Sequence, residues 1–339
     1  MIVHDGFGDQ AWFDAWYDAF EPEAIQRPLA FSGREFQPAL AEGSVTILRR
    51  RWRFLRAPVN GHTPAYGWKL IQPPEVCELS RCLLETLRAS RCHGIEVSLV
   101  PDRSPTLALI RKLATTRLWI VAIEEAEQNL IIDVDGQWVT YWNGLSRNLR
   151  KSLAKQERQL RKLGRVEFQD VGQVATWPDW FEKALTLEAT GWKGQAGTAI
   201  LQRPNEARFY RAVAHGAAEK QRLHLFLLTL DDRLIAFQLA TGEDNVLFAL
   251  KTTYDEELSH YGPGSILLRM IVRECFADPS LLALNLPGAA PWTRRWATRT
   301  DTLMRVRAVP ARSAAGLCLR TEMYAKALRA RLRKGRQGT

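Results

Sequence analysis

The sequence is short of acidic residues, sparing with cysteine, and without a long hydrophobic run. Against 47 Lys and Arg there are only 37 Asp and Glu, a net charge of +10. That shortage points to acidic partners: phosphates, nucleic acid, an anionic cofactor or a membrane surface. The five cysteines (Cys77, Cys82, Cys92, Cys275 and Cys318) are odd in number and contain no Cys-x-x-Cys pair. Disulfide frameworks and zinc ribbons are thereby excluded, no metal is expected, and reduced thiols of a cytoplasmic protein are the better reading. The longest apolar stretches, such as LHLFLL at 223–228, fall far short of the roughly 20 residues that cross a bilayer. The opening MIVHDGFGDQAWFDAWYDAF carries acids where a signal peptide needs a basic region. Cytoplasmic localisation with no transmembrane segment is therefore expected. Gly-x-Ser-x-Gly, His-Glu-x-x-His, Walker and Rossmann glycine signatures are all missing, and the six histidines are scattered. Of these only His260, beside the YGPG loop, stands near other candidate residues.

What is present suits two domains, since 339 residues exceed one ordinary core of roughly 100–200 residues. In the first part, helical spacing in AWFDAWYDAF (11–20) and VCELSRCLLETLRAS (76–90) alternates with strand patterns. The strands are SVTILRRRWRFLR (44–56), IEVSLV (95–100), RLWIVAI (117–123) and LIIDV (130–134). The second part has a cleaner order. A strand (165–171) precedes two helices (177–190 and 205–221), and three successive strands follow (222–230, 234–242, 245–254). An apolar helix after YGPGS, a strand at 281–286, a strand near 303–309 and a basic terminal helix complete it. Interleaved helices and strands place both parts in the α/β or α+β class.

Between them lies SRNLRKSLAKQERQLRKLG (146–164), with seven Lys or Arg and one acid. On a helical wheel Leu145, Leu149, Leu153, Leu160 and Leu163 form one stripe, with the cations opposite. Asn143 or Ser146 can cap its start and Gly164 its end. The leucines are expected to dock between the two halves. The cations form a solvated face that also suits phosphate contact.

The strongest local site is Gly262-Pro263-Gly264-Ser265, which opens the apolar helix. Proline suits a first helical turn, and glycines admit a ligand close to the backbone. The free N–H groups and positive dipole end of a helix N-terminus suit a diphosphate. The alternative is a buried helix that merely begins after a loop.

In their order, LSRNLRKSLAKQERQLRKLG, LEATGWKGQAGTA (187–199), YDEELSHYGPGSILL (254–268) and PGAAPWTRRWA (287–297) resemble a known family. It is the CelD-type or BioF2-like acetyltransferase domain of the GNAT superfamily, related to the FemA/B-like transferases. The likeness covers about 140–300 well and the first half in outline. It implies tandem GNAT-like domains, each a mixed, mostly antiparallel sheet flanked by helices. The expected bounds are a GNAT-like domain over 1–140 (a candidate degenerate copy), a basic connecting helix over 141–164, the acyltransferase domain over 165–320, and a basic helix or tail over 321–339.

The resemblance also implies an acyl-CoA, acetyl-CoA first of all, bound by Gly262, Pro263, Gly264 and Ser265, with Lys251 beside them. Asp255 or Glu188 is the expected base and Tyr254 the acid toward the leaving thiolate. Trp192, Lys193 and Trp292 are expected to shape the site for a small-molecule, glycan or peptide acceptor of cell-envelope or exopolysaccharide type. The alternative functions are an aminoacyl-tRNA-dependent transferase of the FemA/B-like kind, with a tRNA contact through 147–162, or a non-enzymatic binder of nucleic acid or of an anionic membrane surface, with peripheral membrane contact. One departure matters: the family's Gly-Asp-x-x-Tyr-Lys is here Gly288-Ala289-Ala290-Pro291-Trp292-Thr293. A carboxylate and a lysine are missing, with Arg294 or Arg295 as candidate replacements for the lysine's charge.

Overall fold

A computed structural model describes residues 7, 10–31, 34–69 and 73–337. The readings made of residues 1–6, 8–9 and 338–339, at the two chain ends, lie outside the described residues. In chain order the elements are α1 (Gln10–Phe20), β1 (Gln26–Phe31), β2 (Arg34–Ile47), β3 (Arg50–Arg56), α2 (Val76–Ser90), β4 (Gly94–Pro101), α3 (Pro105–Thr115) and β5 (Trp119–Asp133). Then come α4 (Trp138–Gly144), α5 (Arg147–Leu160), β6 (Val166–Asp170), α6 (Trp177–Thr190), α7 (Trp192–Gln195), α8 (Pro204–Glu219), β7 (Leu223–Leu230), β8 (Arg233–Glu243) and β9 (Val246–Tyr254). The chain closes with α9 (Pro263–Ala277), β10 (Ala283–Leu286), α10 (Pro291–Arg294), β11 (Arg299–Pro310) and α11 (Ala314–Gln337).

These elements form two compact units that are interleaved in sequence. One comprises Met1–Phe13, Glu21–Glu127 and Thr302–Thr339; the other comprises Asp14–Phe20 and Gln128–Asp301. The contiguous halves expected from the sequence differ from this arrangement. The last strand returns to the first unit, where Met304 pairs with Val100 and Val306 with Val97.

In the first unit the strand order is β1-β2-β3-β4-β11-β5. β1/β2, β2/β3 and β4/β11 are antiparallel, and β3/β4 is parallel. Alternation sends Trp52 and Phe54 inward and Arg51 and Arg53 outward. Trp52 and Phe54 pack with Ile47, Val309 and the α11 residues Ala315 and Leu319.

In the second unit the order is β5-β10-β9-β8-β7-β6, with β9/β10 its parallel pair. α9 connects those two strands and buries Ile266, Leu267, Leu268, Ile271 and Val272. A parallel step needs such a crossover, because the chain must return to the same sheet end. Its apolar positions lie on most sides, as expected for a helix held inside a core.

Two strand expectations, 117–123 and 130–134, turn out to be one strand, β5. Its middle, EEAEQN (124–129), is polar but has no Gly or Pro, so nothing stops it. The leucine stripe of α5 is also placed differently from the expected position between halves. Leu149, Leu153 and Leu160 join the core of the second unit with Ile266 and Leu268. The helix ends at Leu160 with Arg161 as its cap, not at Gly164, so Leu163 is exposed. Its start is as read: the Ser146 side chain accepts from the Leu149 amide at 3.3 Å. Cys82, Cys92 and Cys275 are buried thiols. No helix among the described residues is long and apolar enough to cross a membrane.

Candidate active site

β9 controls the geometry of the site. It pairs with β10 only through Val246, Leu247 and Phe248. On its other side Leu239 partners Lys251 and Ala240 partners Ala249, which leaves Leu250 as an extra residue. Such a bulge bends a strand and sharpens its twist. Beyond it, β9 runs on to Tyr254 without a β10 partner, while β10 stops at Leu286. The two parallel strands thus diverge, and the backbone edge of β9 past Phe248 is left open.

α9 begins beside that opening. Its cap, Gly262, has φ 64° and ψ 43°, a left-handed conformation that glycine adopts without steric cost. A Cβ there would also approach the Gln156 side chain to 2.8 Å. Pro263 fills the first helical position and leaves no wasted donor. At Gly264 a Cβ would meet the Tyr254 ring at 3.2 Å, so the bare backbone fits tightly against that ring. The cap has no side-chain partner; the Ser265 and Ile266 amides both donate to the Gly262 carbonyl at 3.0 Å, which leaves the Gly264 amide as the first-turn donor at the positive helix end.

A cavity of about 550 Å³ opens at this corner, lined by Gln156, Lys193, Thr252, Tyr254, Glu256 and Ser265, and also by Gly262 and Gly264. Thr253, Ser259, Trp192 and Trp292 complete the wall. Pro263, although it sets the turn, is buried rather than lining. Tyr254, Trp192 and Trp292 are among the exposed large apolar residues of the chain. Three aromatic faces on one concave wall mark a place built to cover something apolar.

The expected carboxylates are placed elsewhere. Glu188 is 1% exposed, and both its oxygens are occupied. Oε1 accepts from Lys193 Nζ at 2.7 Å, and Oε2 accepts from the Ile200 amide at 3.0 Å. Lys193 Nζ donates as well to the Thr252 carbonyl at 3.0 Å, so Glu188 acts as the counterion that fixes a cavity lysine. Asp255 caps the turn at 256–261 by accepting from the Glu257 amide, and it pairs with Arg233 at 2.9 Å. Neither Glu188 nor Asp255 lines the cavity. Lys251 does not line it either. Its ammonium lies 5.1 Å over the Tyr210 ring, where burial holds its pKa below the ordinary 10.5 against the pull of Glu188. Arg294, Arg295 and His260 are exposed and stand outside the lining.

One carboxylate does line the cavity: Glu256, which the sequence placed beside Asp255 without choosing it. Its Oε1 accepts from the Trp192 amide at 2.7 Å, and Oε2 has no hydrogen bond among the described residues. Gln156 was also missed. It sits within the leucine stripe of α5 itself, three residues after Leu153 and four before Leu160, a polar side chain on the face read only for its leucines. Among the described residues no group of three His, Cys, Asp or Glu is placed to hold a metal ion.

Residues 147–294 match the family model described as the acetyltransferase (GNAT) domain. No curated protein matches the chain. Among solved structures, a conserved protein of unknown function from Bacteroides thetaiotaomicron is similar at 12% identity and TM-score 0.57, with 89% of this chain and 90% of that one covered. FemX is similar at 11% identity and TM-score 0.56, with 88% and 91% covered. The C-terminal domain (DUF2156) of a putative lysylphosphatidylglycerol synthetase from Agrobacterium fabrum is similar at 10% identity and TM-score 0.51, with 94% and 96% covered. At such identities the likeness is one of fold.

Proposed function

From the match of residues 147–294 to the acetyltransferase (GNAT) domain family, we propose that the chain moves an acyl group from acyl-CoA to an amine or hydroxyl acceptor. Acetyl is the proposed group, and a cytoplasmic step in cell-envelope or polysaccharide chemistry is the proposed setting. One observation carries the reading: a glycine-opened helix N-terminus faces a cavity at the point where two parallel strands part. Acyl-CoA would bring an activated thioester carbonyl. The chain's own part is to hold, orient and move protons.

In this reading the Gly264 amide and the Ser265 hydroxyl, at the positive end of α9 and on the cavity wall, hold the diphosphate. Their fit is supported by the Gly264 approach to Tyr254, which a side chain would close. The unpaired edge of β9 offers N–H donors to a developing oxyanion, where fixed dipoles act without reorganising. The Tyr254 phenol, on the cavity wall, donates a proton to the leaving thiolate. Glu256 Oε2, the free carboxylate oxygen in the cavity, receives the proton of the attacking amine or hydroxyl. Trp192 and Trp292 cover the reacting groups, and Lys193, held by Glu188, steers an acidic portion of the acceptor. A peptide, glycan or small molecule bearing the nucleophile fits these roles.

A second reading, transfer from aminoacyl-tRNA, is favoured by the likeness to FemX and by the basic face of α5. Arg147, Lys151, Lys155 and Arg158 are all exposed there. An anionic membrane surface is a further partner for the same face.

Thermal-shift titrations separate the readings, because a ligand at about 100 times its Kd adds about 2.7 kcal/mol to stability. Acetyl-CoA and longer acyl-CoAs are expected to raise the melting temperature, and Gly264→Asp to abolish that rise. Bulk tRNA raising it while no acyl-CoA does would overturn the lead. The tRNA and membrane readings predict a steep loss of binding between about 50 and 200 mM salt.

A further inference from the structure

The first unit repeats the arrangement that creates the site in the second. β3 and β4 are parallel, with Phe54 opposite Gly94 and Arg56 opposite Glu96, and α2 connects them. A bulge again bends the pair. Val100 partners Met304 and Val97 partners Val306, so Ser98 and Leu99 together face Arg305. Leu99 has φ 60°, a left-handed backbone that a branched residue seldom adopts and that tends to persist at ligand clamps. Its carbonyl accepts from the Tyr66 amide at 2.8 Å, which holds the distortion in place.

The chemistry at this corner differs from that of the second unit. No Gly-Pro-Gly opens α2; it follows Glu75, which provides no side-chain cap. Instead a cavity of about 270 Å³ is lined by Arg56 from the end of β3, Glu96 from β4, Glu127 from β5 and Arg305 from β11. Two cations and two anions therefore converge on one small space. Among the described residues none of these four side chains has a salt bridge or hydrogen bond. Opposite charges in this unit do pair elsewhere. Arg307, two residues from Arg305, binds Glu124 at 3.2 Å and Glu322 at 2.8 Å, and Glu42 binds Arg27 at 2.7 Å and Arg53 at 2.8 Å. Arg56 and Glu96 are register partners and still leave each other unpaired.

We propose that this cavity is a second binding site, for a zwitterion of amino-acid size bearing one carboxylate and one ammonium. A guanidinium presents a planar fork that matches a carboxylate in two parallel hydrogen bonds. Arg56 and Arg305 supply such forks. Glu96 and Glu127 accept from the ammonium, and the Asn60 and Ser98 side chains at the same wall offer uncharged partners. A ligand of one sign would satisfy one pair and leave the other facing like charge, so the cavity selects for both signs together. The site lies wholly in the first unit and does not depend on the acyl-transfer reading.

Calorimetric titration of the full chain tests this. L-alanine, L-glutamine and L-lysine are the zwitterionic probes, with propionate and propylamine as their single-charge halves. At least one zwitterion is expected to bind below about 10 mM, and each half at least about tenfold more weakly. Arg305→Met and Glu127→Gln change exposed side chains, so both variants should fold. Each is expected to weaken the zwitterion roughly tenfold or more, while Gly264→Asp in the other unit leaves it unchanged. No zwitterion binding at about 10 mM, halves binding as well as the whole, an unchanged affinity in both first-unit variants, or loss on Gly264→Asp would each overturn the assignment.

Discussion

At the scale of single residues, the decisive contrast is between charges that are satisfied and charges that face a cavity. Glu188 belongs to the first kind: buried, with both oxygens engaged by Lys193 and the Ile200 amide. Removing one partner of a buried pair leaves the other charge uncompensated, which costs about 3–5 kcal/mol. Glu188→Ala is accordingly expected to lower the unfolding free energy measured by urea denaturation by that much, with Glu188→Gln closer to wild type because it restores a hydrogen bond. Asp170 gives a pH signature. Burial would raise its pKa, but the His224 ring at 2.7 Å and the Gly172 and Leu225 amides outweigh burial and hold it below the ordinary 3.8. A depressed carboxylate pKa contributes stability that is present above the unfolded value and lost as pH falls through the folded one. The melting-temperature gap between wild type and Asp170→Asn should therefore be open near neutrality and close below pH 3.8. A gap that stayed constant down to about pH 2 would contradict this assignment.

At the scale of elements, helices were legible where one face had to be apolar. The spacing of Leu149, Leu153 and Leu160 identified α5, and the same spacing explains why those three enter the core while Lys151, Lys155 and Arg158 do not. Leu163 failed to follow because the helix had already ended. Leu153→Ala removes a side chain that is 1% exposed, a truncation that costs about 2–5 kcal/mol in a packed core. Lys155→Ala on the solvent side is expected to change stability by no more than about 0.5 kcal/mol; the two measured side by side separate architecture from charge. The glycine-opened N-terminus of α9 was equally legible, since Gly and Pro carry backbone rules that do not need a partner. β5 was less so. Its polar centre breaks the apolar alternation but not the strand, because strand continuity is decided by neighbours across the sheet.

At the scale of the whole molecule, the two units share an arrangement and differ in what they place at its opening. The second offers helix amides and aromatic walls; the first offers side-chain charges of both signs. Their interleaving has a direct consequence. β11 lies between β4 and β5 in the first unit's sheet order, and α11 covers the same core through Ala315 and Leu319. Ending the chain after Asp301 is expected to unfold the first unit while the second keeps its protected amides, as read by hydrogen exchange residue by residue. Full protection of residues 50–56 and 94–101 in the shortened chain would refute that dependence.

Some properties needed nothing beyond residue order. The α/β class, the amphipathic α5, the glycine-opened α9 and the three strands before it each follow from local periodicity or from backbone rules carried by single residues. The tertiary structure alone decided which carboxylate faces the cavity. Asp255 and Glu256 are adjacent in sequence, and a one-residue rotation of the turn turns one toward Arg233 and the other toward Trp192. It also decided that Glu188 is a buried counterion, that the last strand belongs with the first unit, and that four unpaired charges meet in that unit. Each of these depends on contacts between residues far apart in the chain, and such contacts leave no mark in local sequence pattern.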